Sequence, residues 1–337
     1  MRVAVMSARA IVLEAPRSVT VREVALPELA EGEVLVRSCY SGISAGSELL
    51  AYRGEVDPEL ALDETIGTLG GTFAYPFQYG YSSVGRIEHS RAGIPEGSLV
   101  FAFHPHQDRF VIPAADVIPL GGAEFDARTA TLLPLVETAL QLSLDAGPVE
   151  HEPVVVTGLG VVGLLTAALL ARSGAQVLAA EPRDWRRRAA AAFGITALAP
   201  SELDAVVRAA TGGRGVPVLV EASGNPHALA SALALLAHEG TALVGSWYGC
   251  KPVPLPLGAE FHRRRLSIRS SQVSTIPAAQ RGRWDVPRRR AMVLGLMGEL
   301  PLEQLATHTF GFAQAAEAFA AVDRGDRGLL HAALWYG

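Results

Sequence analysis

Cysteine is almost missing from this 337-residue chain: only Cys39 and Cys250 carry thiols, far apart and in no CxxC pair. A disulfide framework is excluded, and so is any zinc site that needs more than two thiolates. A reducing, cytoplasmic setting fits such usage. Lysine is scarcer still. Lys251 stands alone among 29 basic residues, a bias that reflects codon usage before physics. No basic excess exists either: the net charge of -5 argues against a general nucleic-acid binder. The N-terminus, MRVAVMSARAIVLEAP, lacks the apolar core and small-residue cleavage site of a signal peptide. The longest apolar stretch, PVVVTGLGVVGLLTAALLA at 153–171, is broken by three spaced glycines and closed by Arg172. A buried strand followed by a buried helix explains it better than a membrane span.

What is present suffices for a large core. Hydrophobic residues make up 49% and charged residues 19%, a balance foreign to disordered, collagen-like or coiled-coil chains. The length suggests two domains at roughly 150 residues each. The first ~130 residues read as short β-rich runs (10–13, 19–24, 33–40 and 99–103) parted by Gly and Pro, hence a mostly antiparallel β domain. From Thr129 the pattern changes. Residues 129–144 read as a helix, and apolar runs at 154–156, 177–180, 218–221 and 242–245 then alternate with helical stretches at 161–171, 186–193 and 226–237. That alternation marks a parallel sheet covered on both faces. The tail returns to helix and ends in a strand at 329–334.

The strongest motif is Gly158-Leu159-Gly160-Val161-Val162-Gly163. It follows a strand and opens an apolar helix, the context a dinucleotide turn requires. Gly158 permits the tight turn, Gly160 lets backbone approach a pyrophosphate, and Gly163 lets helix and strand pack closely. The helix start offers N–H groups and partial positive charge to phosphate. Glu181 ends the next strand, 18 residues after Gly163. An acid there accepts from ribose hydroxyls and repels a 2′-phosphate, which favours NAD(H) over NADP(H). Arg183 and the run Arg186-Arg187-Arg188 keep NADP(H) open, or else form a solvated helix face.

Together, the β-rich first domain, GLGVVG near position 160, Glu221-Ala222-Ser223-Gly224 and Leu243-Val244-Gly245 resemble the medium-chain dehydrogenase/reductase superfamily of zinc-type alcohol and polyol dehydrogenases. The resemblance spans nearly the whole chain. It implies an α/β architecture: a GroES-like catalytic domain at 1–134, completed by 271–337, and a Rossmann dinucleotide-binding domain at 135–270. It also implies an active site between the two, and a homodimer formed through the nucleotide domains. On the cofactor side it implies Thr138, Ser223, Gly245, Ser246, Trp247, Ser271 and Gln272. Metal-binding members carry G-I-C and G-H-E segments. The matching segments here run Ser41 to Glu48 and Tyr79-Gly80-Tyr81-Ser82, so Ser44 stands for the thiolate, Tyr81 for the imidazole and Ser82 for the acid. The third ligand position falls at Leu133 or Pro134, and no four-cysteine structural zinc lobe is present. The chain therefore resembles a zinc-free branch, with no metal expected.

Without zinc, a hydrogen-bond donor must stabilise the charge that builds on a carbonyl oxygen during hydride transfer. Tyr81 is the leading candidate, because a phenol stays protonated at neutral pH; the alternative is that it fills the space zinc left. Ser47 can relay a proton, Ser44 occupies the vacated thiolate position beside it, and Glu48 can orient Ser47 or cap a helix. His104 and His106 flank Pro105 in a loop, where a substrate contact or acid role competes with packing. Residues 263–290 hold nine Arg and one acid, so 9 − 1 = +8, which reads as an ion-paired surface or an anion site. The expected activity is ketone–secondary alcohol interconversion on a small polar, cyclitol- or sugar-like substrate. Reduction of an enone C=C is the other enzymatic reading, and a non-catalytic dinucleotide sensor a third. No nucleic acid or membrane partner is expected.

Overall fold

A computed structural model describes residues 7–121 and 125–337. The first six residues of the N-terminal stretch read above lie outside that range. Contacts divide the chain into Met1–Pro134 with Leu305–Gly337, and Leu135–Gln304.

The first unit is β-rich. Strands β1 (Ser7–Ala15) and β2 (Ser18–Ala25) form an antiparallel hairpin. Strand β3 (Glu33–Ile43) is the spine of a second sheet. Its first half pairs with β4 (Ser83–Ser90) on one side and β6 (Arg109–Pro113) on the other. Strands β5 (Leu99–Ala102) and β7 (Val117–Pro119) extend the sheet beyond β4. The chain returns after residue 304 to add β14 (His308–Gly311) and β15 (Ala332–Trp335), with β15 antiparallel to the last residues of β3. That pairing sets Trp335 opposite Tyr40 and brings the C-terminus to Ser41.

Two helices cover this unit's main core. Helix α1 (Ser47–Arg53) carries an acid in its first turn, a base in its last, and ends at the left-handed Gly54. Its seven residues are too short for a periodicity to show in the sequence. Helix α9 (Ala315–Arg324) buries Phe319 completely in a core that also holds Ile11, Leu13, Leu49 and Leu50. Emptying such a site costs about 3–5 kcal/mol. The helical stretch expected at 129–144 is two helices, α2 (Ala127–Ala130), capped by Asp126, and α3 (Leu133–Ala146). They part at residues 131–132, ahead of Pro134, which suits a first helical turn but not a helix interior.

The second unit is a doubly wound sheet. Its strands are β8 (Pro153–Thr157), β9 (Gln176–Ala180), β10 (Ala197–Leu198), β11 (Val216–Glu221), β12 (Leu236–Val244) and β13 (Ser267–Ser270). All pair in parallel in the order β10-β9-β8-β11-β12-β13. Helices α4 (Val161–Arg172), α5 (Asp184–Ala190), α6 (Pro200–Thr211) and α7 (Pro226–Ala232) are the crossovers. The apolar stretch at 153–171 is thus β8 plus α4, a helix buried almost all round. Among the described residues no helix is long and apolar enough to cross a membrane.

The segment 271–304, grouped above with the catalytic domain, falls in this second unit. Helix α8 (Val286–Glu299) is held there by Arg289, which is 2% exposed and donates to Glu137 at 3.0 Å and to Gln141 at 2.7 Å. Ser271 donates to Asp145 at 2.6 Å. Both are polar contacts to α3, and neither partner is apparent from hydrophobic pattern.

Candidate functional site

In the doubly wound unit, strand order reverses between β8 and β11, the switch point beyond whose strand ends ligands bind in open sheets of this kind. The glycine turn lies there. Gly158 adopts φ +86°, and a Cβ on it would sit 2.5 Å from Ser223 Cα. A Cβ on Gly163 would sit 2.0 Å from the Gly158 carbonyl oxygen. Gly160 is the N-cap of α4 and supplies no side chain to it. The first N–H groups of that helix, on Val161, Val162 and Gly163, have no partner within it. A small, side-chain-free mouth with outward N–H groups is the form a diphosphate needs.

Glu181 is 3% exposed and turns into this mouth. One carboxylate oxygen accepts from the Leu159 N–H at 2.9 Å and the other from the Arg183 N–H at 3.0 Å. Each oxygen keeps a second lone pair for another donor. The arginine run does not behave as one solvated face. Arg188 pairs with Asp184 at the surface, and Arg187 donates to the Glu181 and Pro182 carbonyls. Arg186 folds inward, 3.9 Å from Glu181 and 3.9 Å from the Cβ position of Gly160, with its buried Nε lacking a hydrogen-bond partner. Arg183 itself stays exposed ahead of α5.

The other cofactor-side candidates gather at neighbouring strand ends. Glu221, fully buried, accepts from the Ser223 N–H at 2.7 Å and from the Tyr248 hydroxyl at 2.7 Å. The Gly224 N–H donates to Ser246 Oγ at 2.9 Å. A Cβ on Gly245 would press on Leu142, one turn beyond Thr138 on α3. Trp247 is 42% exposed just after. The Ser271 N–H continues from β13 to the Val244 carbonyl at 2.9 Å, while Gln272 accepts from the Ser274 backbone. The Arg-rich tract is dispersed. Arg264 donates to the carbonyls of Ala234 and Leu236, Arg265 pairs with Glu239, Arg269 donates to the Asp145 carbonyl, and Arg288 lies over Trp284. Contacts to backbone carbonyls describe most of these arginines, Arg265 forms an exposed ion pair, and Arg289 is buried.

The β-rich unit holds a second polar cluster. Ser44 follows β3, Ser47 and Glu48 open α1, and Tyr81 precedes β4. The Tyr81 hydroxyl lies 2.8 Å from Ser47 Oγ, which in turn donates to Ser44 Oγ at 3.3 Å. Burial, then the nearby Glu48 charge, raise the Tyr81 phenol to about 12, against hydrogen bonds from Ser44 and Ser47. Glu48, 1% exposed, accepts from the Ser44 N–H at 2.8 Å and meets His106 Nε2 at 2.8 Å. It is therefore both an acid in a first helical turn and a member of the cluster. Of the two histidines, only His106 enters it. His104 stacks on Phe110 with ring centres 3.9 Å apart, donates from Nδ1 to the Pro105 carbonyl, and is pushed down to about 4 by burial. Ser82 donates to the Thr131 carbonyl at 2.6 Å. Three members escaped sequence reasoning: Tyr79, whose phenol burial pushes up and Ser47 hydrogen-bonds, Ser41, and Tyr336, 295 residues from Ser41. The Tyr-Gly-Tyr repeat at 79–81 was a signal for the first, and nothing local pointed to the last.

Residues 161–285 match the model of the zinc-binding dehydrogenase family. L-galactonate-5-dehydrogenase of Escherichia coli K12 is 30% identical over 62% of this chain and 58% of its own. The chain thus spans little more than half of that relative. 2-Desacetyl-2-hydroxyethyl bacteriochlorophyllide A dehydrogenase of Cereibacter sphaeroides is 27% identical over 94% of both chains. These are likenesses to dehydrogenases over part or most of the chain. A solved short chain alcohol dehydrogenase from E. coli CFT073, complexed with NADH, superposes with a TM-score of 0.76 at 20% identity, covering 98% of this chain and 99% of that one. The α/β fold, with a mixed GroES-like sheet and a parallel Rossmann sheet, is that of this group.

Proposed function

We propose that this protein is a nicotinamide-dependent oxidoreductase that interconverts a secondary alcohol and a ketone on a small polar, sugar- or cyclitol-like substrate. The observation that carries the reading is the glycine turn at the switch point: Gly158 and Gly163 sit where any side chain would overlap backbone, below an uncapped helix start. The residues fit a dinucleotide. Gly160, Val161 and Val162 would face the diphosphate, Glu181 the adenosine ribose, and Thr138, Ser223, Gly245 and Ser246 the nicotinamide half. When bound, the nicotinamide supplies or accepts the hydride.

Zinc does not fit. The positions that matched its ligands hold two hydroxyl side chains, Ser44 and Ser82, a phenol raised to about 12, and Leu133 or Pro134. Among the described residues no three His, Cys, Asp or Glu side chains converge as a metal site. In our reading Tyr81 donates a hydrogen bond to the oxygen that gains charge, and Ser47 holds the phenol in line. Its raised pKa suits a donor that stays protonated over the working range.

Glu181, aimed into the nucleotide mouth, supports NAD(H). Arg186, half-buried with an unsatisfied Nε beside the same mouth, favours NADP(H) as the second reading. The relatives' names, a sugar-acid dehydrogenase foremost, support an alcohol substrate over an enone. A homodimer is expected in solution, checked by light scattering. The test of function is a panel of sugar acids, polyols and enones followed by nicotinamide absorbance, with product analysis. A ketone from an alcohol supports the reading; turnover only of enones, to saturated ketones, refutes it.

A further inference from the structure

The β-rich unit contains a chain of four polar side chains, three of them buried and the fourth half-buried, that the proposed hydride chemistry does not use directly. Glu48 and His106 are 1% and 0% exposed. His106 meets Glu48 through Nε2 at 2.8 Å and Ser41 Oγ through Nδ1 at 2.7 Å. Ser41 Oγ lies 2.8 Å from the Tyr336 hydroxyl. Both ring nitrogens of His106, both carboxylate oxygens of Glu48 and the Ser41 hydroxyl thus find polar partners, which a buried carboxylate requires and simple space-filling does not.

The imidazole is also wedged against the strand that carries Tyr81. Gly80 adopts φ +103°, and a Cβ there would lie 2.6 Å from two atoms of the His106 ring. On its other side the ring meets Phe319 edge-on at 6.0 Å. His106 therefore has one place to stand, and Glu48 is held by it on one oxygen and by the Ser44 N–H on the other. The Tyr81 hydroxyl lies 2.8 Å from Ser47 Oγ, which in turn donates to Ser44 Oγ at 3.3 Å.

We propose that His106 is a positioning residue for the Tyr81 phenol: anchored by Ser41 and Tyr336 through one ring nitrogen, it fixes through the other the Glu48 carboxylate, which holds the Ser44 backbone from which the Ser44–Ser47–Tyr81 line of hydroxyls runs. The groups around the phenol are few. Glu48 and Asp63 both make its ionisation harder, and Tyr79 shares Ser47 with it. At the far end Asp108 and Glu48 act on Tyr336. Of the two acids facing Tyr81, Glu48 has the larger effect, and it alone is bonded to His106. The inference rests on the proposed role of Tyr81 for its consequence in turnover, but not for its test.

The test is made on the whole chain with 3-fluorotyrosine in place of tyrosine. The fluorine resonance missing from Tyr81→Phe identifies residue 81. Its titration is followed by NMR in the unaltered sequence, in Glu48→Gln and in His106→Ala. Removing a neighbouring like charge shifts a titration by about one pH unit or more, here downward. The expected result is that shift in Glu48→Gln and a shift in the same direction in His106→Ala, where the carboxylate is no longer held. An unmoved resonance in folded Glu48→Gln, or a shift there without one in His106→Ala, overturns the proposal. If neither variant folds, Ser41→Ala takes their place, since it removes only the far anchor; an unmoved resonance there is equally fatal. A protein that shows these shifts yet turns over no alcohol keeps this inference and loses the functional reading. Alcohol turnover with an unmoved resonance does the opposite.

Discussion

A glycine inside a helix normally costs stability, so Gly163→Ala in α4 is a sharp test of the nucleotide turn. On propensity alone the change should stabilise the helix by about 0.8–1 kcal/mol. The structure reverses the sign. The new methyl would stand 2.0 Å from the Gly158 carbonyl oxygen and 3.1 Å from Ala222 Cβ, and the first of these is backbone that no rotamer change can move. Overpacking of this kind costs about 1–3 kcal/mol, so the net result should be a loss of roughly 0–2 kcal/mol. Gly295, exposed in the middle of α8 with open space around its Cβ position, is the internal control. There Ala should add about 0.5–1 kcal/mol. Urea unfolding of both variants measures the contrast, with an unchanged m-value showing that unfolding still exposes the same surface. Because α4 must move off the turn to accept the methyl, coenzyme affinity should fall in Gly163→Ala and stay level in Gly295→Ala. If the two variants gain stability equally and bind equally, the close packing that defines the turn is wrong.

Tyr81→Phe should lower kcat by about 10²-fold or more with little change in KM, measured by steady-state kinetics on the best alcohol found; equal turnover would remove the phenol from the chemistry. Glu181→Ala should weaken NAD(H) binding about tenfold, in the range of a lost charge-assisted hydrogen bond, and narrow the gap to NADP(H); an unchanged ratio in competitive titrations points to Arg186 instead. Metal analysis of purified protein should find no stoichiometric zinc, and a chelator should leave turnover intact; one tightly held zinc per chain would contradict the donor set described above. Burial pushes His331 down to about 4 from an ordinary 6.5. The unfolded chain therefore takes up the proton first as pH falls, so stability is full above about 6.5 and declines toward 4, by up to about 3 kcal/mol. Unfolding of His331→Gln across that window should show a flatter dependence than the parent.

The parallel sheet was legible because each buried strand leaves an apolar run: 154–156, 177–180 and 218–221 fall within strands, and 242–245 overruns β12 only by Gly245. The glycine turn was legible because steric demands at Gly158 and Gly163 admit one residue type. Helix α1 was not, since seven residues give no period, and α6, with its short amphipathic stripe, was overlooked. In the polar cluster, Ser44, Ser47, Glu48, Tyr81 and His106 were each named, but their grouping depends on register. His104 and His106 look alike in sequence, and only the fold sends one to stack on Phe110 and the other to Glu48. Tyr336 could not have been found locally, because β15 reaches Ser41 through a sheet pairing across nearly the entire chain. In the Arg tract composition reports charge alone; most members stay at the surface, and the destination of Arg289 against Glu137 and Gln141 is set by how α8 packs.

The central claim is that the 158–163 hairpin grips a nicotinamide nucleotide. Calorimetric titration of the unaltered protein with NADH and with NADPH addresses it without any knowledge of the substrate. The account predicts saturable binding near one coenzyme per chain, tighter for NADH, and weakened in Gly163→Ala. Absence of heat and of saturation with both coenzymes, in protein shown to be folded, would contradict it.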